Sequence, residues 1–155
     1  ADIDLVSNSL IITHPNTGKL MEILSDKIEE LIVINGDEKL VFRTTAGKPF
    51  AKEIKENRFY QILKGDPNQF IRVQVKDFIE ADYKRIHSPD RRYDEFKLVN
   101  RYYVEGPDKV FHRVQLNSKS LSKLFPDKKD MIVTTFKEGK DADPEKRVIE
   151  ILEKF

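Results

Sequence analysis

The sequence contains no cysteine among its 155 residues. Without thiols the chain can form no disulfide, no thiolate nucleophile and no cysteine-ligated metal site. The absence leaves the redox compartment of the protein open.

Long hydrophobic runs are also absent. The longest, such as Leu31–Ile34, extend over only a few residues, whereas a membrane-spanning helix needs about 20 consecutive apolar residues. The sequence therefore predicts no transmembrane segment. The chain starts at Ala1 with neither an initiator Met nor an apolar leader, which is typical of a processed mature form or of a trimmed chain.

The composition that remains is that of a globular protein. Hydrophobic residues make up 39% and charged residues 35%, and the ten Phe and five Tyr accompany many aliphatic residues. This content of aromatic and aliphatic residues excludes a disordered chain, and the length corresponds to one domain. We predict a single domain over residues 1–155, β-rich over 1–116 and capped by helices over 117–155.

The net charge of +1 conceals an uneven distribution. Residues 1–38 carry eight acids against Lys19 and Lys27, a net charge of −6, so the rest of the chain carries +7. The basic part is able to attract an anionic partner, although scattered solvated charges are the commoner explanation of such an asymmetry.

Strand patterns dominate the first 116 residues. Runs rich in β-branched and aromatic residues recur between turn signals, and Asn35-Gly36 is the strongest short hairpin signal. Predicted strands cover residues 10–12, 28–34, 39–45, 59–63, 70–78, 97–104 and 109–116. In the run from residue 70, we expect the face that carries Ile71, Val73 and Val75 to be buried.

The spacing of apolar residues changes to a helical period after residue 116. Ser118 is predicted to cap a first helix, Pro126-Asp127 to restart a second that ends at Gly139, and Asp143-Pro144 to begin a third. The third helix is expected to bury Val148, Ile149, Leu152 and Phe155. Strands followed by helices predict an α+β fold: an antiparallel β-meander over about residues 10–116, then C-terminal helices over about 118–155.

Residues able to support catalysis are few and scattered. The three histidines, His14, His87 and His112, show no metal-ligand spacing, and His112 is predicted to be a core histidine between Val110 and Val114. No serine lies in a nucleophile motif. Glu80 and Asp82 are spaced to share one strand face, whereas neighbours such as Glu29 and Glu30 are not, so Glu80 and Asp82 are a candidate pair for a carboxylate site. We therefore predict no catalytic residue, no metal and no cofactor, and favour a non-enzyme.

One segment combines basic and aromatic residues. Around a Ser-Pro, the stretch YKRIHSPDRRYDEF (83–96) and the strand after it have the composition that binds single-stranded nucleic acid or anionic glycans. Nearby acids cancel much of its charge, so a loop between two strands is the simpler interpretation. The candidate binding residues are Tyr83, Lys84, Arg85, His87, Arg91, Arg92, Tyr93, Arg101 and Tyr103.

Several stretches resemble a family of uncharacterised exported proteins of Gram-negative bacteria. The match runs over residues 35–155 through NGDEKLVFRT, FYQILKGDPNQFIRVQVKDF and, best of all, VQLNSKSLSKLFPDKKDMI at 114–132. Gln61 departs from the family pattern, which more often has an acid there. The resemblance implies a periplasmic, cell-surface or secreted location without implying an activity or any functional residue.

The sequence favours a non-enzymatic binding or interaction module, and the family resemblance implies that this module is exported. Its partner is unknown, with an envelope protein or an anionic polymer as candidates, and the sequence does not predict its oligomeric state. Two alternatives stay open: a hydrolase with an unrecognised carboxylate or histidine site, and nucleic-acid or glycan binding through residues 83–103.

Overall fold

The protein is described here by a computed structural model, which covers residues 2–52, 54, 57–81, 94–138 and 143–155. The strands are β1 (Asp2–Asp4), β2 (Ser9–Thr13), β3 (Leu20–Leu24), β4 (Glu30–Asn35), β5 (Glu38–Thr44), β6 (Phe59–Lys64), β7 (Phe70–Ile79), β8 (Glu95–Glu105) and β9 (Phe111–Val114). The helices are α1 (Ser118–Leu124), α2 (Lys129–Glu138) and α3 (Pro144–Glu153). The predicted α+β class, an antiparallel meander followed by C-terminal helices, is confirmed.

The strands form two antiparallel sheets. Strands β1–β3 make a three-stranded N-terminal sheet, and β4–β9 make a six-stranded large sheet in which each strand pairs with the next. The β-rich part of the chain therefore starts at Asp2, earlier than the predicted residue 10, and is divided between two sheets. The hairpin expected at Asn35-Gly36 joins β4 to β5, but its two loop residues are Gly36 and Asp37, because Asn35 still pairs with Glu38. Gly36 supplies the positive φ of 62° that this turn requires.

The helices cover one face of the large sheet. Phe70, Val104 and Val114 project from neighbouring strands onto the apolar faces of the helices, which contribute Leu121, Phe125, Ile132, Val148, Ile151 and Leu152. Ile151, and not Ile149, is the fully buried isoleucine of α3. The reason is the spacing: positions 148, 151, 152 and 155 follow the i, i+3, i+4, i+7 pattern of one stripe, and Ile149 lies at its margin.

A second core lies on the opposite face of the same strands. Ile71, Val73 and Val75 are buried there as predicted, together with Tyr60, Tyr103 and Phe111. The segment that follows β5 covers them, because Phe50 forms a parallel bridge with Phe111 and stacks on its ring. The middle of the large sheet is thus buried on both faces.

Two helix caps can be compared with the sequence predictions. Asp143 caps α3 as predicted, since its carboxylate accepts a hydrogen bond from the Glu145 N–H at 3.0 Å. The cap of α1 is Asn117 and not Ser118: the Asn117 amide oxygen accepts from the Ser120 N–H at 2.9 Å. The predicted helix end at Gly139 lies outside the described residues.

None of the described helices is long and apolar enough to cross a bilayer. The division of the chain into domains stays a prediction.

Candidate functional site

The structure describes only part of the predicted basic and aromatic segment. Tyr83, Lys84, Arg85, His87, Arg91, Arg92 and Tyr93 lie outside the described residues. Arg101 forms an ion pair across the ladder with Asp77, at 3.0 Å. Tyr103 is only 8% exposed and packs edge-on against Phe50. The charge of Arg101 is therefore balanced by Asp77, and Tyr103 belongs to the core. The binding role of the segment stays a prediction.

Two of the carboxylate and histidine candidates for hydrolysis, Glu80 and His112, are described by the structure, and they lie far apart. His112 lies beside Val104, which in turn lies beside Phe70 at the start of β7. Glu80 is ten residues further along, about 33 Å away at a strand's rise per residue. Asp82 and His87 lie outside the described residues. Glu80 and His112 therefore cannot serve one site.

His112 has a structural partner of its own. Its ring nitrogen Nε2 lies 2.8 Å from the Asp108 carboxylate, in the turn that joins β8 to β9. This hydrogen bond, together with one from the Val110 N–H, holds the pKa of Asp108 below its usual range. The prediction of a core histidine is wrong, because the His112 side chain is 32% exposed at the sheet margin.

A groove between the two sheets forms an apolar concavity in the described part of the chain. Its volume is about 300 Å³. The N-terminal sheet and the turn after β1 provide Ile3, Leu5 and Leu10, and the first strands of the large sheet provide Leu31, Val33 and Phe42. We call this concavity the inter-sheet groove. Leu31 and Phe42 are direct cross-strand partners, so they form one continuous apolar wall.

Asn8 fixes the N-terminal sheet over this wall. Its backbone adopts a positive φ of 55°, which asparagine tolerates better than most residues. The side-chain oxygen of Asn8 accepts from the Phe59 N–H at 3.1 Å, and its amide group donates to the Asn57 carbonyl and to Ser25 Oγ. These bonds tie the β1–β2 turn to the start of β6, and we expect them to hold the N-terminal sheet at its present distance from the large sheet.

The inter-sheet groove has a polar end. Gln61, Arg72 and Gln74 line it, and Gln61 is opposite Arg72 in the ladder. Arg72 Nη2 donates to Gln61 Oε1, and the Gln74 amide donates to the Asn100 side chain at 3.0 Å. Among the described residues, the Gln61 amide nitrogen and the Gln74 amide oxygen have no further partner. The polar end can therefore both donate and accept hydrogen bonds.

Glu145 neutralises the cation at this end. Arg72 Nη1 lies 2.9 Å from Glu145 Oε1, and the Tyr102 hydroxyl donates to the same oxygen at 2.7 Å. Burial raises the pKa of Tyr102, and the hydrogen bond to Glu145 adds to this rise. Of the described residues that line the groove, the only other charged one is the acid Asp2. The polar end thus carries no net positive charge.

The sequence predictions missed this groove entirely. Alternation assigns Ile71, Val73 and Val75 to one face of β7 and therefore Arg72 to the other, but it does not show that the N-terminal sheet lies over that other face. A signal was present in Gln61 and Arg72, polar residues at interior positions of strongly apolar strands. A polar residue in such a position requires a partner or a ligand.

In the described ranges no group of three or more His, Asp or Glu residues is arranged to hold a metal ion. Comparison of the chain with known protein families, with curated proteins and with solved structures gave no match. The family resemblance over residues 35–155 therefore stays a prediction.

Proposed function

We propose that this protein is a non-enzymatic binding module that takes a small, uncharged amphiphile into the inter-sheet groove. The observation that carries the proposal is an apolar concavity with one polar, charge-balanced end. Its volume of about 300 Å³ lies at the lower end of the range of small-ligand sites, which are typically apolar with a few convergent polar groups.

The charge balance selects the head group of the ligand. A carboxylate that entered the groove would lose its hydration, and Arg72 already has Glu145 as its counter-ion. An uncharged hydroxyl or amide loses less hydration and finds both a donor in Gln61 and an acceptor in Gln74. A single-chain alcohol is therefore a better fit than the corresponding fatty acid.

A blocking substitution tests whether the inter-sheet groove is the binding site. Val33→Trp places an indole inside the groove, whereas Ile34→Trp places it on the opposite, solvent-exposed face of the same strand, where Ile34 is 76% exposed. The fluorescence of N-phenyl-1-naphthylamine should rise with the wild type and with Ile34→Trp. Val33→Trp should weaken its binding at least about tenfold, a change of about 1.4 kcal/mol. Equal binding by all three proteins would rule out the groove.

The head-group preference has its own test. Displacement of the bound probe by 1-octanol and by octanoate should show tighter binding of the alcohol at neutral pH, and Gln61→Leu should reduce that difference. Octanoate binding as tightly as 1-octanol would contradict the charge argument while leaving the groove as the site.

We also propose export to the periplasm or cell surface, which is supported by the resemblance to exported proteins. Fractionation of cells that express the full-length natural protein tests this location, and recovery of the protein in the cytosol alone would contradict it.

A further inference from the structure

The outer part of the β7–β8 hairpin has no neighbouring strand in the described part of the chain. Strand β6 pairs with β7 only up to Arg72, and β9 pairs with β8 only from Tyr102 onward. Within the described ranges, residues 74–79 and 95–100 pair only with each other and form a two-stranded ribbon. We call this ribbon the arm. Its edges present unpaired backbone groups, which template the addition of another strand.

The direction of these backbone groups follows from the ladder. The Glu105 N–H donates to the Gln69 carbonyl at 2.8 Å, and the Gly106 N–H donates to the Val110 carbonyl at 2.9 Å. Odd-numbered residues of β8 therefore bond toward β7, and even-numbered residues bond toward β9, by the alternation of antiparallel pairs. In the arm, Phe96, Leu98 and Asn100 direct their N–H and C=O groups outward from the free edge.

The geometry points to a second copy of this chain as the strand that pairs with this edge, with β8 antiparallel to β8 about a two-fold axis at Leu98. In this register Leu98 lies opposite Leu98 of the second copy, and Phe96 lies opposite Asn100. All three outward-facing residues then form hydrogen-bonded pairs. The interface is isologous, as in most homodimers.

The charges along the edge favour this register. Glu95 lies opposite Arg101 of the second copy, and the same pair forms again on the other side of the axis. Lys97 lies opposite Val99, so no like charges meet directly. Shifting the axis to Lys97 would place Lys97 opposite its own copy, which is unfavourable. The edge is therefore self-complementary about Leu98.

Exposed apolar side chains accompany the free edge. Phe78, Phe96 and Leu98 lie on one face of the arm and are each more than half exposed, and the rings of Phe78 and Phe96 are in contact at 5.4 Å. Pairing of the two arms would place these side chains beside those of the second copy in one continuous apolar strip. Contiguous exposed apolar surface of this kind commonly marks an interaction site.

Single cysteines test the register directly, because the chain contains none of its own. Leu98→Cys places two thiols opposite each other at a Cα separation of about 5.5 Å, which suits a disulfide. Asn100→Cys is the matched control, since its opposite residue is Phe96. Under mild oxidation, Leu98→Cys should give a covalent dimer on non-reducing gels and Asn100→Cys should not. Equal cross-linking of the two variants would overturn the register.

Association itself is measured by sedimentation of the full chain over a range of concentrations. Leu98→Pro removes an outward N–H without removing a bond to β7, so it should raise the dimer dissociation constant at least about tenfold. Glu95→Lys should also weaken the dimer, because it places a second cation opposite Arg101. A chain that stays monomeric at every concentration, or a dimer unaffected by Leu98→Pro, would refute the proposal.

Discussion

The β7–β8 hairpin has an inner end at Phe70 and Val104 and an outer end in the arm. Side chains alternate between the two faces in the same way at both ends, but the two ends differ sharply in burial. Phe70 and Phe78 lie on the same face of β7, yet Phe70 is fully buried and Phe78 is 53% exposed. The inner end is covered by helices on one face and by Phe50 on the other, whereas the outer end has no flanking strand among the described residues. Burial is therefore decided by the elements that flank a strand, and the alternation only assigns the faces.

The largest expected difference in the free energy of unfolding is between substitutions of these two phenylalanines. Phe70→Ala should lower the free energy of unfolding by about 3–5 kcal/mol, because it opens a cavity in a core that cannot collapse freely. Phe78→Ala should change it by less than about 1 kcal/mol, since the ring is already half solvated. Urea denaturation followed by circular dichroism measures both. Equal losses would mean that the arm is packed as tightly as the sheet centre.

The second comparison uses two glutamates of α3. Glu145→Ala should destabilise the fold by about 1–3 kcal/mol, because it leaves the partly buried Arg72 without its counter-ion and the Tyr102 hydroxyl without its acceptor. Glu150→Ala removes only an exposed pair with Lys154 and should cost less than about 1 kcal/mol. The same denaturation experiment checks them, and a larger loss for Glu150→Ala would contradict the role assigned to the Arg72 contact.

Asn8 allows a smaller but more local test of the inter-sheet groove. Asn8→Gly keeps the positive φ accessible but removes the side-chain bonds to the start of β6, and should cost about 1–2 kcal/mol. Asn8→Ala adds backbone strain and should cost more. Both should also weaken binding of the naphthylamine probe. Unchanged probe binding with reduced stability would show that Asn8 holds the sheet without setting the width of the groove.

A feature of this structure could be predicted from the sequence when residues close in the chain determine it, and could not when distant residues determine it. Asn35-Gly36 and Asp143-Pro144 act through local backbone chemistry, so the turn and the helix cap were predicted correctly. The cap of α1 was misplaced by one residue, because Asn117 and Ser118 are both good caps and only the backbone distinguishes them.

The inter-sheet groove and the arm could not be predicted from local patterns. The groove depends on Asn8 bonding to residues about fifty positions away. The arm depends on β6 and β9 pairing with β7 and β8 only over their inner parts. The segment 83–93 was prominent in the sequence because of its composition, which carries no information about what surrounds it. Arg101 illustrates this point, since its charge is matched by Asp77 from the facing strand.

The smallest expected effect is a dependence of stability on pH, caused by the contact between Asp108 and His112 in the β8–β9 turn. Because His112 and the Val110 N–H hold the pKa of Asp108 below its usual range, the ionised carboxylate stabilises the folded state. That stability is present above the unfolded pKa of Asp, about 3.9, and is lost as the pH falls through the lower folded pKa. Between pH 5 and pH 2 the wild type should therefore lose slightly more stability than Asp108→Asn.

Asp37→Asn is the matched control for this measurement, since Asp37 is an exposed acid in a hairpin turn and accepts no comparable hydrogen bond within the described residues. If Asp108→Asn and the wild type lose stability in parallel, the His112 contact does not persist in solution. The inner end of the β7–β8 hairpin would then be stabilised by the strand pairing at Val104, with no contribution from the contact in the turn after β8.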